Sequence, residues 1–102
     1  MIIVLDDSFV VPVPKFAKVT GFFRPFALTT VSPQDRQEVA RRLASATTGW
    51  NAVAIGLGGR FGLELGAASE EAAVSDALQA CGREDNDCHV AVIGPFLVEH
   101  PQ

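Results

Sequence analysis

Residues 69–99, SEEAAVSDALQACGREDNDCHVAVIGPFLVE, decide the fold of this chain. Ser69 is a good N-cap residue, and the two glutamates after it suit the first turn of a helix, where the helix dipole favours negative charge. Apolar residues then recur at helical spacing up to Cys81, and Gly82 follows as a terminator. After a polar turn, two apolar runs lie on either side of Gly94-Pro95. The stretch predicts a helix followed by a hairpin.

The chain's only two cysteines, Cys81 and Cys88, bracket the polar turn between that helix and that hairpin. Such a pair is typical of a local disulfide in an oxidising compartment. Two reduced thiols in a cytoplasmic protein are the alternative. A metal site is not expected, because the cysteines and the adjacent His89 lack a fourth good zinc ligand. The acidic residues of the turn, among them Asp85, are interpreted as solvated. We expect a periplasmic or otherwise extracytoplasmic protein.

Composition and charge exclude several classes of function. Eight basic and twelve acidic residues give a net charge of −4, which repels phosphate backbones, so we expect no nucleic-acid partner. No apolar run approaches the ~20 residues of a membrane span. Hydrophobic residues make up 48% before the 9 glycines are added, and this surplus predicts a homo-oligomer or a protein partner. Because no leader precedes Ile2, an oxidised cysteine pair implies a longer natural chain.

The rest of the chain alternates hairpins and helices. A hairpin is predicted from Met1 to Val13, a helix from Pro33 to Thr47 behind the N-cap Ser32, and a second hairpin from Trp50 to Leu65. The expected fold is therefore α+β, with a mostly antiparallel sheet made from three hairpins and both helices on one face. The start of the chain also resembles its last hairpin, with one gap. We interpret residues 1–102 as a single domain, taken from a longer or tandem-repeat chain.

The central hairpin presents two different faces. If Gly58-Gly59 forms a two-residue turn, one face is apolar throughout and is expected to meet the helices. On the same assumption, Phe61 lies opposite Gly56. The other face carries Val53, Ile55 and Leu57 beside charged residues, and it is predicted to bind a partner.

The segment from Lys15 to Phe26 is unusual for a loop because it is both aromatic and basic. It holds four of the seven phenylalanines, interleaved with basic residues; the candidate partner-binding residues here are Phe16, Phe22, Phe23, Arg24 and Phe26. Aromatic residues and arginine are enriched in protein interfaces. The segment is interpreted as a contact surface for a protein, a membrane interface or an anionic ligand. A small cluster packed under a long connection is the alternative.

A family resemblance covers roughly the C-terminal half. The motifs are Trp50-Asn-Ala-Val-Ala-Ile, a Gly-Arg-Phe-Gly turn, Gly66-Ala-Ala-Ser-Glu-Glu-Ala, Ala77-Leu-Gln-Ala-Cys81 and Asp87-Cys88-His-Val-Ala-Val. In this combination the chain resembles a family of small secreted bacterial domains of unknown function. The resemblance implies the architecture and a Cys81–Cys88 bond, and it implies no activity or catalytic residue. Residues 1–49 depart from the family pattern and look more like a linker between tandem units.

No catalytic motif stands out in the sequence. The two thiols are expected to bond to each other, His100 lies in a terminal tail, and Ser32 and Ser69 are explained as caps. We expect no cofactor, and enzymatic activity is disfavoured. The leading function is a non-enzymatic interaction or structural module of a bacterial extracytoplasmic protein or assembly. The alternative is a small-ligand-binding or hydrolytic domain with a pocket between the aromatic segment and the central hairpin.

Overall fold

The computed structural model describes residues 2–6, 9–12, 17–46 and 48–99, and for the first two ranges only the backbone. The helices are α1 (Pro33–Ser45) and α2 (Glu70–Gly82), with a short 3-10 helix at Pro25–Ala27. The strands are β1 (Ile2–Asp6), β2 (Phe9–Pro12), β3 (Lys18–Phe22), β4 (Trp50–Ile55), β5 (Phe61–Ala67), β6 (His89–Ile93) and β7 (Phe96–Glu99). The predicted α+β class with a mostly antiparallel sheet is confirmed.

The main sheet has five antiparallel strands in the order β3-β7-β6-β4-β5. The predicted first hairpin forms as β1 and β2, but these strands make a separate two-stranded sheet. The prediction that all three hairpins build one sheet is therefore wrong. The outer place beside β7 is taken by β3, which comes from the segment predicted to be a loop. Its pairing with β7 satisfies backbone groups that would otherwise lie at an open edge.

Both helix starts were predicted correctly from their capping residues. The Ser32 hydroxyl accepts a hydrogen bond from the Asp35 amide at 3.2 Å, and the Ser69 hydroxyl accepts one from the Ala72 amide at 3.1 Å. Helix α1 ends at Ser45 rather than at Thr47, which lies outside the described residues. Capping signals are local, so the sequence places helix starts well.

The two helices lie on opposite faces of the sheet, which corrects the prediction that they share one face. Successive side chains of a strand point to opposite sides. Ala52 and Ala54 of β4 belong to the core on the α2 side, and Val53 and Ile55 belong to the core on the α1 side. The sequence predicts that one face of β4 packs on the helices and that the other binds a partner. In the structure each face of β4 packs against a different helix.

The two helices also approach the sheet differently. On the α2 side, a side chain at Gly62 would collide with the backbone of Ala77, Ala80 and Cys81, so α2 rests directly on strand backbone. On the α1 side, larger side chains such as Val39, Leu43 and Phe61 separate helix from sheet. One layer is thin and requires glycine, and the other is filled by ordinary hydrophobic packing.

The register of the central hairpin differs from the predicted one by one residue. Ile55 lies opposite Phe61, and the Gly56 amide donates to the Arg60 carbonyl at 2.9 Å. The turn between them has three residues and ends at Gly59 with φ +87°, a conformation that favours glycine. A one-residue slip moves every side chain to the other face. The slip places Phe61 and Leu63 on the same face as Val53 and Ile55, and these four residues belong to the core on the α1 side.

Candidate functional site

The predicted contact residues in the aromatic segment divide into exposed and packed members. Phe22 and Phe26 are 61% and 65% exposed, and Arg24 between them is exposed as well. We call these three residues the aromatic surface. Phe23 packs instead against the core on the α1 side, and its amide donates to the Pro95 carbonyl at 2.8 Å. Phe16 lies outside the described residues.

The aromatic surface is held in place by the sheet. Phe22 is the last residue of β3 and lies opposite Phe96, whose ring it stacks on with centroids 5.3 Å apart. Phe26 follows within the 3-10 helix. The alternative of a small packed cluster describes Phe23, which anchors the segment, whereas Phe22 and Phe26 face solvent and their role in partner contact stays a prediction.

The segment that carries the aromatic surface has charges of one sign in its own sequence. Residues 17–34 contain two cations, Lys18 and Arg24, and no acidic residue, although the chain as a whole is acidic. Lys18 lies opposite Glu99 in the β3–β7 register, so its charge has an acidic neighbour across the strands. Arg24 is the cation that lies between the two exposed phenylalanines in the sequence.

The three partner candidates of the central hairpin have different fates. Val53 and Ile55 are 0% and 3% exposed and belong to the core on the α1 side, so neither can form part of a contact surface in the folded domain. Leu57 is 76% exposed at the tip of the turn. Its amide donates to the Asn86 carbonyl at 2.9 Å, so this exposed side chain sits on backbone that a neighbouring loop holds in place.

The predicted disulfide is confirmed. Cys81 and Cys88 are bonded, with an S–S distance of 2.02 Å and a Cα–Cα distance of 6.1 Å. Cys81 is fully buried against the sheet, whereas Cys88 stands half-buried just before β6. We call residues 82–87 the disulfide loop. The bond ties the end of α2 to the start of a strand in the middle of the sheet.

Asp85 docks the disulfide loop onto the turn of the central hairpin. Its carboxylate accepts hydrogen bonds from the amides of Gly58 (3.1 Å), Arg60 (3.0 Å) and Asn86 (2.7 Å). The bond from the Arg60 amide, followed by that from Asn86, holds the pKa of the Asp85 carboxyl below its ordinary value. The interpretation of the acidic residues as simply solvated is therefore wrong for Asp85.

The sequence contains a signal of this contact, the glycines at positions 56 and 58, but their position alone does not identify Asp85 as the partner. A side chain at Gly56 would collide with the side chain of Asp85, and one at Gly58 would approach its carboxylate to 3.0 Å. The glycines therefore make room for an approaching group, in addition to forming a turn. The second signal is Asp85 itself, an acidic residue in a short loop closed by two cysteines.

An apolar groove lies between α2 and β6. Its volume is about 690 Å³, and its apolar lining includes Val74, Leu78, Val90 and Ile93, with Ser69 and Glu71 at a polar end. This groove does not lie between the aromatic segment and the central hairpin, where the sequence predicted a pocket. The groove belongs to the α2 face.

The described part of the chain shows no group of three or more histidine, cysteine, aspartate or glutamate side chains arranged to hold a metal ion. Of the described helices, none is long and apolar enough to cross a membrane. His89 is exposed at the start of β6, and His100 lies outside the described residues.

Comparison of the chain with protein-family models, with curated proteins and with solved structures finds no match.

Proposed function

We propose that this domain is a non-enzymatic interaction or structural module of a bacterial extracytoplasmic protein or assembly. The observation that carries the proposal is the aromatic surface. Phe22 and Phe26 stay more than half exposed although the same segment packs the partly buried Phe23 against the core. Exposed aromatic side chains on a fixed backbone lose little conformational entropy on binding, which is one reason they serve as anchors in interfaces.

The disulfide supports an extracytoplasmic location, because such bonds persist in an oxidising environment and are rare in the cytoplasm. The bacterial origin rests on the resemblance of the C-terminal half to small secreted bacterial domains. The register of β1 and β2 supports the tandem-repeat interpretation in part. Val4 lies opposite Val10, as Val92 lies opposite Leu97, whereas Phe9 pairs with Asp6 and not with Leu5, the counterpart of Ile93 in the alignment.

The test is site-specific photo-crosslinking in the native host. A photoreactive phenylalanine analogue at Phe26 should form a defined crosslinked product, and the Phe22→Ser change should reduce its yield. The matched control places the analogue at Gln37, an exposed position on α1. Equal crosslinking at positions 26 and 37 would contradict the proposal. A crosslinking yield at position 26 that does not change with Phe22→Ser would contradict it as well.

The groove between α2 and β6 favours a second candidate function, the binding of a small apolar ligand. A mass spectrum of gently purified native protein would show a bound molecule. The Leu78→Glu change, which puts a charge on the groove wall, should remove that molecule. Protein that carries no added mass speaks against this second function.

A further inference from the structure

The outer edge of β5 differs from the opposite edge of the sheet. In the five-stranded main sheet, β3 and β5 are the two outer strands. The edge at β3 has features that discourage pairing with another chain: it is short, it is irregular between Val19 and Gly21, and it carries Lys18. Residues 61–65 of β5 contain neither lysine nor proline. This part of β5 can accept another strand.

The hydrogen-bond pattern shows which backbone groups β5 offers. Gly56 bonds to Arg60 across the hairpin, and bonded pairs alternate with unbonded pairs in antiparallel strands. With Ala54 opposite Gly62 and Ala52 opposite Glu64, the amides of Gly62 and Glu64 point toward β4. The amides and carbonyls of Phe61 and Leu63 therefore point outward, away from β4.

A polar cleft of about 570 Å³ follows this edge. Phe61, Gly62 and Leu63 line it. Its walls are charged, with Asp35, Glu38 and Arg42 from α1, and Arg83 and Glu84 from the disulfide loop. The walls carry both signs of charge, which suits a partner that also carries both.

We propose that a second copy of this chain pairs with the β5 edge, antiparallel, about a two-fold axis at Gly62. This register brings the outward residues together, because Phe61 of each copy lies opposite Leu63 of the other. Each such pair exchanges two backbone hydrogen bonds. The two sheets become one continuous sheet, and the association goes beyond the partner binding proposed for the aromatic surface.

The side chains of β5 complement themselves in this register. Arg60 of one copy lies opposite Glu64 of the other, which is a favourable cross-strand pair of opposite charge. On the α1 face, the half-buried ring of Phe61 meets the half-buried Leu63 of the second copy. Gly62 at the axis presents no side chain that would hold the strands apart. A shift of one residue would lose all of these pairs.

Helix α1 adds a second match of charge. A two-fold axis perpendicular to the sheet keeps both copies the same way up, so α1 of one copy lies on the same face as α1 of the other. Asp35 and Arg42 both line the cleft and lie seven residues apart on one side of the helix. The two-fold axis therefore brings a cleft wall that carries both acidic and basic residues against a copy of itself.

Charge exchange tests the register directly. Light scattering of the full chain should give twice the monomer mass of 10.8 kDa. Arg60→Glu and Glu64→Arg should each raise the dissociation constant by roughly tenfold, because like charges then lie opposite each other. The double variant R60E/E64R restores opposite charges and should restore association. A monomeric wild type at millimolar concentration, or a double variant no better than the singles, would overturn the proposal.

Amide hydrogen exchange of the unmodified protein gives a second readout that needs no variant. The amides of Phe61 and Leu63 should become protected as the protein concentration rises. Those of Gly62 and Glu64 in the same strand bond to β4 and should be protected throughout, so they serve as internal controls. Unprotected Phe61 and Leu63 amides in associated protein would overturn the proposal. Association lost in F22S/F26S, with those amides unprotected, would assign self-association to the aromatic surface at the other edge.

Discussion

At the scale of single residues, the domain depends on positions where a small or charged group lets two elements approach closely. Gly62 lets α2 rest on β5, and Gly56 and Gly58 make room for Asp85. None of these positions is apparent from hydrophobic periodicity, because each is decided by a neighbour far along the chain. The hairpin register is a case of this kind, since Asp85 binds the amides of Gly58 and Arg60 from outside the hairpin.

The Gly62→Ala change should destabilise the fold. The added methyl group would collide with the backbone of α2 at Ala77 and Cys81, which cannot move without pulling the helix from the sheet. Overpacking of this kind costs about 1–3 kcal/mol or more. Gly82→Ala is the control: nothing lies within 4 Å of its added methyl group, so at the end of α2 it should be neutral or stabilising by up to ~1 kcal/mol. Denaturant unfolding measures both, and equal stability of the two variants would contradict the close contact.

The Asp85→Asn change should lower the melting temperature at neutral pH. The lowered pKa of Asp85 means that its ionised form is bound more favourably in the folded state. This stabilisation is complete above the ordinary aspartate pKa and is lost as the pH falls through the lower, folded-state pKa. The melting difference between wild type and variant should therefore vanish at acidic pH.

Thermal melts between acidic and neutral pH measure this difference. Asp76→Asn, at an exposed position on α2, is the matched control and should change the melting temperature little. A difference between wild type and D85N that stays constant with pH would show that the Asp85 carboxylate is not the cause.

At the scale of elements, the sequence predicts those structures whose determining residues lie within the element itself. Both helices were placed by their capping serines, the disulfide by its two cysteines, and the hairpin 89–99 by its Gly94-Pro95 turn. Strand β3 was missed because five residues rich in glycine, threonine and lysine give no clear alternation. It becomes a strand because β7 offers it a partner. The prediction for the faces of β4 is wrong because its alternation of small and large apolar residues fits a strand covered by helices on both faces as well as a strand covered on one face.

Replacing the disulfide cysteines, as in C81A/C88A, should lower the free energy of unfolding by roughly 2–3 kcal/mol, from the chain entropy of a loop of about eight residues. It should also loosen the turn of the central hairpin, because the disulfide loop carries Asp85 and Asn86 to it. Denaturant unfolding gives the first quantity, and amide exchange at Leu57, Gly58 and Arg60 gives the second.

Intact mass with alkylation, with and without reductant, tests the bond in protein taken from its native compartment. Two freely alkylated thiols would contradict the bond there and would remove the main reason for an extracytoplasmic location. Unchanged exchange at the turn in C81A/C88A would show that the docked loop keeps its shape without the bond.

At the scale of the whole molecule, the candidate surfaces lie at opposite edges of one sheet. The aromatic surface accompanies β3, and the polar cleft follows β5, with three strands between them. A domain so arranged can bind a partner at one edge while it pairs with its own copy at the other. The class of fold could be predicted from the sequence, but this separation could not, because it depends on the order of strands in the sheet.

The strand order also has a consequence for biosynthesis. Of the five strands in the main sheet, β3 leaves the ribosome first and its partner β7 last. The hydroxyl of Thr20 in β3 donates to the carbonyl of Leu97, which is synthesised 77 residues later. Until β7 has emerged, the nascent chain must carry Phe22 without the ring of Phe96 to stack on. A chain that is still emerging therefore exposes this aromatic segment until β7 has been synthesised or exported, and we expect a chaperone to bind it there.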